Sequence, residues 1–368
     1  MKHLTFLVKP ASDLCDLRCK YCFYADVAAA REVKSRGIML HETAEILLRR
    51  AFSAVEEGGS VTFMFQGGEP TLAGLGFFRH FVAMEVQLCP PGVTIHHAIQ
   101  TNGMTLDPDW AEFLRENRFL VGLSLDGCAD LHDRNRVDAT GCGSYQRALE
   151  AFALLKKAGV ETNLLCVLTA QVAKKPKRVY ESLKSLGVPI QFIPCLDPLE
   201  ARRGSMPWSL TPDYYGGFLC TLFDLWYADL ERGNYVSIRF FDDLLRRLLG
   251  LPPSSCAMAG SCGHYLVVEG DGTLYPCDFY VLDEWYLGNI RDVPVEDAMT
   301  SEAAGRFLKE GTKRPPECAS CRHFALCRGG CKRDFTRDGS NYYCKALRRF
   351  FDHATPRLRE AARRLGGR

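Results

Sequence analysis

Apolar and polar positions follow two rhythms along the first two thirds of the chain. Short runs rich in β-branched and other apolar residues, Leu4 to Val8, Val61 to Gln66, Val93 to Gln100, Leu120 to Leu125, Thr162 to Leu168 and Ile190 to Pro194, read as strands. Between them, apolar residues recur at three- and four-residue intervals over about His41 to Glu57, Leu75 to Gln87, Pro108 to Asn117, Ser144 to Ala158 and Lys177 to Leu186, which is the spacing of one helix face. Strands alternating with helices predict a parallel sheet with right-handed crossovers. Six such units predict an α/β fold, a partial (β/α)6 TIM-like barrel with its reactive loops at the carboxyl ends of the strands.

Beyond Pro194 the rhythm breaks. Pro194 to Pro212 mixes proline, charge and glycine and reads as a loop near the barrel mouth, Thr211 to Leu230 reads as a helix, and Gly250-Leu-Pro-Pro-Ser-Ser255 marks a boundary. The expected organisation is a barrel over 1–235, a linker over 236–255 and a cysteine-rich domain over 256–368. A chain of 368 residues, 47% apolar, can bury the cores of two domains. Its net charge of +2 gives no general pull toward nucleic acid or an anionic membrane. Only Lys345 to Arg368 is clearly basic, the pattern of a solvated helix face. Leu4 to Val8 is too short for a signal-peptide core and no run approaches a membrane span, so the expected location is the cytoplasm.

The seventeen cysteines decide the chemistry. Disulfide frameworks belong to small secreted domains, and an odd count cannot pair fully. In Cys15-Asp-Leu-Arg-Cys19-Lys-Tyr-Cys22-Phe, three thiols fall within eight residues directly after the first strand. A zinc site closes with four ligands, whereas three cysteines can hold a [4Fe-4S] cluster and leave its fourth iron open to a small molecule. The C-x3-C-x2-C spacing with an aromatic before the third cysteine resembles the signature of radical S-adenosylmethionine (SAM) enzymes. That resemblance implies that the methionine amino and carboxylate groups chelate the open iron. Gln66-Gly67-Gly68-Glu69-Pro70 follows the second strand and so opens on the same face. It resembles the element that receives the methionine amino group, at Gly68. By the same resemblance Ser124 and Arg136 contact SAM, and Tyr21 and Leu196 lie near its adenine. Asn102-Gly103 and Asp126-Gly127 also end strands there, but plain turn chemistry explains them equally well.

Eight cysteines follow the boundary: Cys256, Cys262, Cys277, Cys318, Cys321, Cys327, Cys331 and Cys344. Their spacing resembles the SPASM domain, which carries two auxiliary [4Fe-4S] clusters. The resemblance implies that Cys256, Cys262, Cys277 and Cys331 hold the nearer cluster and Cys318, Cys321, Cys327 and Cys344 the farther one. Two zinc ribbons are the competing reading, yet zinc favours paired C-x2-C motifs and only Cys318 and Cys321 here have that spacing. His264 and His323 lie among these cysteines, but eight thiolates complete both sites and leave them supporting roles. Cys89, Cys128, Cys142, Cys166, Cys195 and Cys220 lack ligand spacing and read as structural thiols.

Within that superfamily the chain resembles the anaerobic sulfatase-maturating enzymes. The residues that carry the match are Cys22-Phe-Tyr24, Phe65-Gln-Gly-Gly-Glu-Pro70, Ile193-Pro-Cys-Leu-Asp-Pro198 and Tyr275-Pro-Cys-Asp278-Phe-Tyr280. The resemblance implies three [4Fe-4S] clusters, SAM, and oxidation of one cysteine or serine of an unfolded sulfatase, in a Cys/Ser-x-Pro-x-Arg motif, to Cα-formylglycine. Asp278, directly after a cluster cysteine, is the expected general base; Tyr24 and Gln66 are weaker candidates for positioning the substrate. A ferredoxin or flavodoxin is the implied electron donor. One rival is a SPASM enzyme that forms thioether or carbon-carbon crosslinks in a ribosomal peptide; such enzymes often carry an N-terminal recognition domain, and only fourteen residues precede Cys15. A non-catalytic iron-sulfur electron carrier is another, disfavoured by the open three-cysteine site. The choice between cysteine and serine substrates is not legible in the chain.

Overall fold

The computed structural model describes residues 1–336 and 338–366. Its strands β1 (His3–Val8), β2 (Ser60–Phe65), β3 (Thr94–Thr101), β4 (Leu120–Ser124), β5 (Thr162–Leu168) and β6 (Ile190–Pro194) match the apolar runs to within a residue at either end. Helices follow at His41–Ala54, Leu75–Leu88, Pro108–Glu116, Tyr145–Ala158, Pro176–Lys184 and Pro212–Glu231, as the spacing predicts. Local chemistry sets several of the starts. The Asp107 carboxylate accepts from the Trp110 N–H ahead of Pro108, and the Thr211 hydroxyl accepts from the Tyr214 N–H ahead of Pro212.

The chain forms two compact units. The first comprises residues 1–124, 133–163 and 263–307. In it the strands lie in the order β4-β3-β2-β1-β7-β8, where β7 is Leu266–Val268 and β8 is Leu274–Tyr275. The first four are parallel, with Phe6 opposite Phe63 and Ile99 opposite Val121. The β7 strand joins β1 in parallel, Val8 opposite Val268, and β8 returns antiparallel to it. The core holds Phe6, Phe63, Phe65, Phe78, Phe81 and Phe119 with almost no exposed surface. Edge-on ring contacts, such as Phe65 to Phe81 at 5.1 Å, fix the Leu75–Leu88 helix over the sheet.

The second unit comprises residues 125–132, 164–262 and 308–368. Its strands pair in parallel, with Cys166 opposite Phe192. Trp226, Phe223, Phe241 and Phe350 make its aromatic centre, the last two stacked at 6.0 Å. Residues 236–255 contain a helix, Arg239–Leu248, that the linker reading did not anticipate. The basic tail forms the helix Cys344–Gly366, which buries Phe350, Phe351, Ala354 and Leu358 on one face; Gly367 and Arg368 lie outside the described residues. The class is the expected one, an α/β fold whose mostly parallel sheet stays unclosed. No described helix is long and apolar enough to cross a membrane.

Candidate functional site

The first unit brings β1, β2, β3 and β4 to one edge, and their carboxyl ends carry the polar groups. After Val8 the chain turns, with Ser12 at φ +49°, into the loop that holds Cys15, Cys19 and Cys22. Each sulfur has a donor: the Leu17 N–H lies 3.4 Å from Cys15 Sγ, the Ala25 N–H 3.4 Å from Cys22 Sγ, and Arg136 Nη1 4.0 Å from Cys19 Sγ. Donors aimed at sulfur suit thiolates that ligate metal. Burial pushes the Cys15 thiol up to about 12 against the opposing Leu17 bond, so a bound cation is what would draw its proton off.

The glycines of Gln66-Gly67-Gly68-Glu69 allow β2 to end beneath that loop. The Gly68 N–H donates to Ser12 O and the Glu69 N–H to Leu14 O, both at 2.7 Å. A Cβ on Gly68 would sit 2.0 Å from Leu14 O. Gly68→Ala is therefore expected to displace the cysteine loop, lowering the unfolding midpoint by the equivalent of about 1–3 kcal/mol and depleting iron in the anaerobically prepared protein. Retention of both midpoint and iron would show that the loop can give way.

Glu69 ties the loop ends together. Its carboxylate accepts from the Thr71 hydroxyl at 2.6 Å, the Thr101 hydroxyl at 2.8 Å and the Asn102 N–H at 2.8 Å. Complete burial still raises its pKa to about 7, because these donors and the Thr71 N–H, four in all, only partly replace water. Asn102 in turn donates to Asp16 Oδ1 at 2.6 Å and points toward Cys15 Sγ at 3.8 Å. Turn chemistry alone does not account for that position; a polar residue at a strand end beside two glycine-containing loops was the available signal.

Arg136 and Tyr21 also meet here. The segment around Arg136 runs beside the cysteine loop, with Arg18 N–H to Val137 O at 2.6 Å and Lys20 N–H to Asn135 O at 3.0 Å. The guanidinium lies 5.5 Å from the Tyr21 ring centroid. Ser124 is buried at the end of β4. Leu196 follows β6 in the second unit, buried.

A second set of residues surrounds Asp278, which begins a short turn, Asp278–Tyr280, immediately after Cys277. Only 4% of it is exposed. Lys9 Nζ lies 2.5 Å from Asp278 Oδ1, and Gln66 Nε2 donates to Oδ2 at 2.7 Å. The Asp278 N–H reaches the Tyr265 hydroxyl at 3.3 Å, and that hydroxyl lies 3.4 Å from Cys277 Sγ. Lys9 is fully buried, its ammonium 3.6 Å above the Tyr24 ring. The Tyr24 hydroxyl donates to Glu269, whose Oε1 also accepts from Arg31 Nη1 at 2.8 Å. Burial first, then Glu269, holds the Tyr24 hydroxyl protonated well above its ordinary range. The Phe23 and Phe279 rings touch at 4.8 Å, so the Cys22-Phe-Tyr24 and Asp278-Phe-Tyr280 motifs pack together. Lys9, Arg31 and Glu269 were not singled out in the sequence.

In the second unit Cys318, Cys321, Cys327 and Cys344 act on one another electrostatically, Cys327 feeling the other three, and burial raises Cys318, Cys327 and Cys344. Cys256 and Cys262 interact likewise, and an added Cβ on Gly311 would sit 2.5 Å from Cys262 Sγ. Cys331 belongs to this unit and Cys277 to the first. His323 bonds Asp352 Oδ1 at 2.6 Å. None of the seventeen cysteines is paired in a disulfide. Among the described residues no three His, Cys, Asp or Glu side chains converge on a single-ion position; a cluster asks for no such point, because each cysteine takes its own iron. An all-thiolate donor set with N–H groups aimed at sulfur fits iron-sulfur chemistry.

The Radical SAM superfamily matches residues 10–183, and SPASM, an iron-sulfur cluster-binding domain, matches residues 256–322. The chain is 44% identical over 371 residues to a cysteine-type anaerobic sulfatase-maturating enzyme of Clostridium perfringens, covering 99% of this chain and all of that one. To a serine-type anaerobic sulfatase-maturating enzyme of Bacteroides thetaiotaomicron it is 34% identical, over 96% of this chain and 90% of the other. The solved structure of native anSMEcpe with bound AdoMet and Cp18Cys peptide superposes with a TM-score of 0.93 at 43% identity, covering 99% of both chains.

Proposed function

The chain belongs to the anaerobic sulfatase-maturating enzymes of the radical SAM superfamily, and on that premise we propose that it oxidises one cysteine or serine of a sulfatase peptide to Cα-formylglycine. The observation that supports this reading most is Asp278, a buried carboxylate beside Cys277 whose motif packs against that of the cysteine triad. We assign Cys15, Cys19 and Cys22 to the cluster that binds SAM, Cys256, Cys262, Cys277 and Cys331 to one auxiliary cluster, and Cys318, Cys321, Cys327 and Cys344 to the other. The barrel at 1–235, the connecting 236–255 and the SPASM region at 256–368 follow the same assignment.

When bound, these groups supply a 5'-deoxyadenosyl radical that removes a hydrogen from the substrate Cβ and an acceptor for the electron that leaves afterwards. The protein's own part is to bind, aim and move a proton. The Gly68 N–H is committed to Ser12, so its carbonyl is the group left to accept from the methionine amino group. Arg136, Tyr21, Ser124 and Leu196 are assigned to the rest of the cofactor. Asp278 takes the proton from the substrate thiol or hydroxyl as the second electron departs. Gln66 holds the second oxygen of that carboxylate. Because the Tyr24 hydroxyl is given to Glu269, we assign its contribution to the ring. A thiol substrate passes through a thioaldehyde that water converts to the aldehyde with release of sulfide; a hydroxyl substrate gives the aldehyde directly. A Cys/Ser-x-Pro-x-Arg segment of an unfolded sulfatase, a ferredoxin or flavodoxin donor and a cytoplasmic location complete the reading.

The test is anaerobic incubation with SAM, a reductant and a peptide carrying Cys-x-Pro-x-Arg, or its serine counterpart, followed by the peptide's mass. Conversion to an aldehyde is expected. SAM cleavage with both peptides unchanged would transfer the assignment to a different peptide substrate.

A further inference from the structure

We propose that Lys9 is a positioning residue for Asp278, holding one oxygen of the base while Gln66 holds the other; this rests on the reading of Asp278 as the base. Lys9 directly follows β1 and stands six residues ahead of Cys15. Nothing of it reaches solvent. A lysine so buried is tolerated only with a counter-charge in reach, and Asp278 Oδ1 at 2.5 Å supplies it. Gln66 Nε2 at 2.7 Å from Oδ2 fixes the other side, so the carboxylate is held against rotation about its last torsion.

Lys9 is itself held. Gly67, at φ +139°, leaves room for its stem, since a Cβ there would meet Lys9 Cβ and Cγ at 3.2 Å. The Tyr24 ring supports its ammonium at 3.6 Å. That ring is anchored through its hydroxyl to Glu269, and Glu269 is neutralised by Arg31. Two cations and two carboxylates therefore balance in one buried row, with each acid matched by its own base. The balance makes Lys9 specific to Asp278, because Glu269 is already served.

A double-mutant cycle tests this on the anaerobically prepared, cluster-loaded enzyme, with Lys9→Met, Asp278→Asn and both together, reading kcat and KM for the peptide and, separately, the unfolding midpoint. Lys9→Met is expected to lower kcat by about 30-fold or more with KM changed less than about threefold, and to change kcat less than about twofold once Asp278 is asparagine. The double variant is expected to unfold at a higher temperature than Lys9→Met alone, since it buries no unmatched carboxylate. Equal losses from Lys9→Met in both backgrounds, a loss confined to KM, or full activity would each overturn the proposal. If Lys9→Met fails to fold, folding of the double variant supports the pairing and its failure overturns it. An Asp278→Asn variant as active as the parent would instead sink the base reading, leaving the midpoints to report on the ion pair alone.

Discussion

Asp278→Asn is expected to keep producing 5'-deoxyadenosine while aldehyde formation falls by about 10²–10⁴-fold, the usual worth of a positioned general base. The amide preserves shape and can still meet Gln66, but it cannot take a proton from the substrate. Hydrogen abstraction does not call on Asp278, so cofactor cleavage should run on without matching product. Chromatography of the nucleoside and the mass of the peptide read the two events separately. The substitution also strips Lys9 of its counter-charge, and removing one member of a buried pair commonly costs about 3–5 kcal/mol; the comparison therefore belongs well below the variant's unfolding temperature. Aldehyde formed at the parent rate would mean that another group receives the proton.

The second large effect concerns the triad. Replacing Cys15, Cys19 and Cys22 together by alanine should abolish SAM cleavage and remove about four irons per chain, because these are the thiolates assigned to the cluster that binds SAM. Replacing Cys318 and Cys321 by alanine should remove about the same iron yet leave SAM cleavage, which depends on the first site. Iron and sulfide assays beside nucleoside production distinguish the two variants. Equal iron in the triad variant and the parent would take the ligand assignment away from these residues.

Much of this was legible before any coordinates. The six strands announce themselves because each is a short run rich in apolar or β-branched residues, β3 with its two histidines the least so, and the cysteine spacings are short enough for the chain itself to set the geometry. The β7 strand was not legible. Three residues long, it is defined by a partner some 260 positions away, Val8 against Val268, and no local period encodes such a pairing. For the same reason the sequence could not say that residues 263–307 pack with the N-terminal strands. The charged row around Lys9 was hidden differently. Lys9, Arg31 and Glu269 each look like an ordinary surface residue in the linear sequence, and only the fold turns them inward together. Asp278 and Gln66 were recognised as separate motif positions; the hydrogen bond between them is a tertiary fact.

The sulfur of Cys22 has two employments. It is the cap of the helix Phe23–Ala29, accepting from the Ala25 N–H, and that helix carries Tyr24 beneath the Lys9 ammonium. Whatever disturbs that sulfur, oxygen above all, therefore disturbs the first turn of the helix and the floor under the base in the same event. Damage to the metal end should propagate as local fraying, detectable as faster amide exchange at Tyr24 and Ala25, so that an oxidised chain loses its catalytic geometry and becomes an easier target for proteolysis rather than persisting as an intact but empty shell.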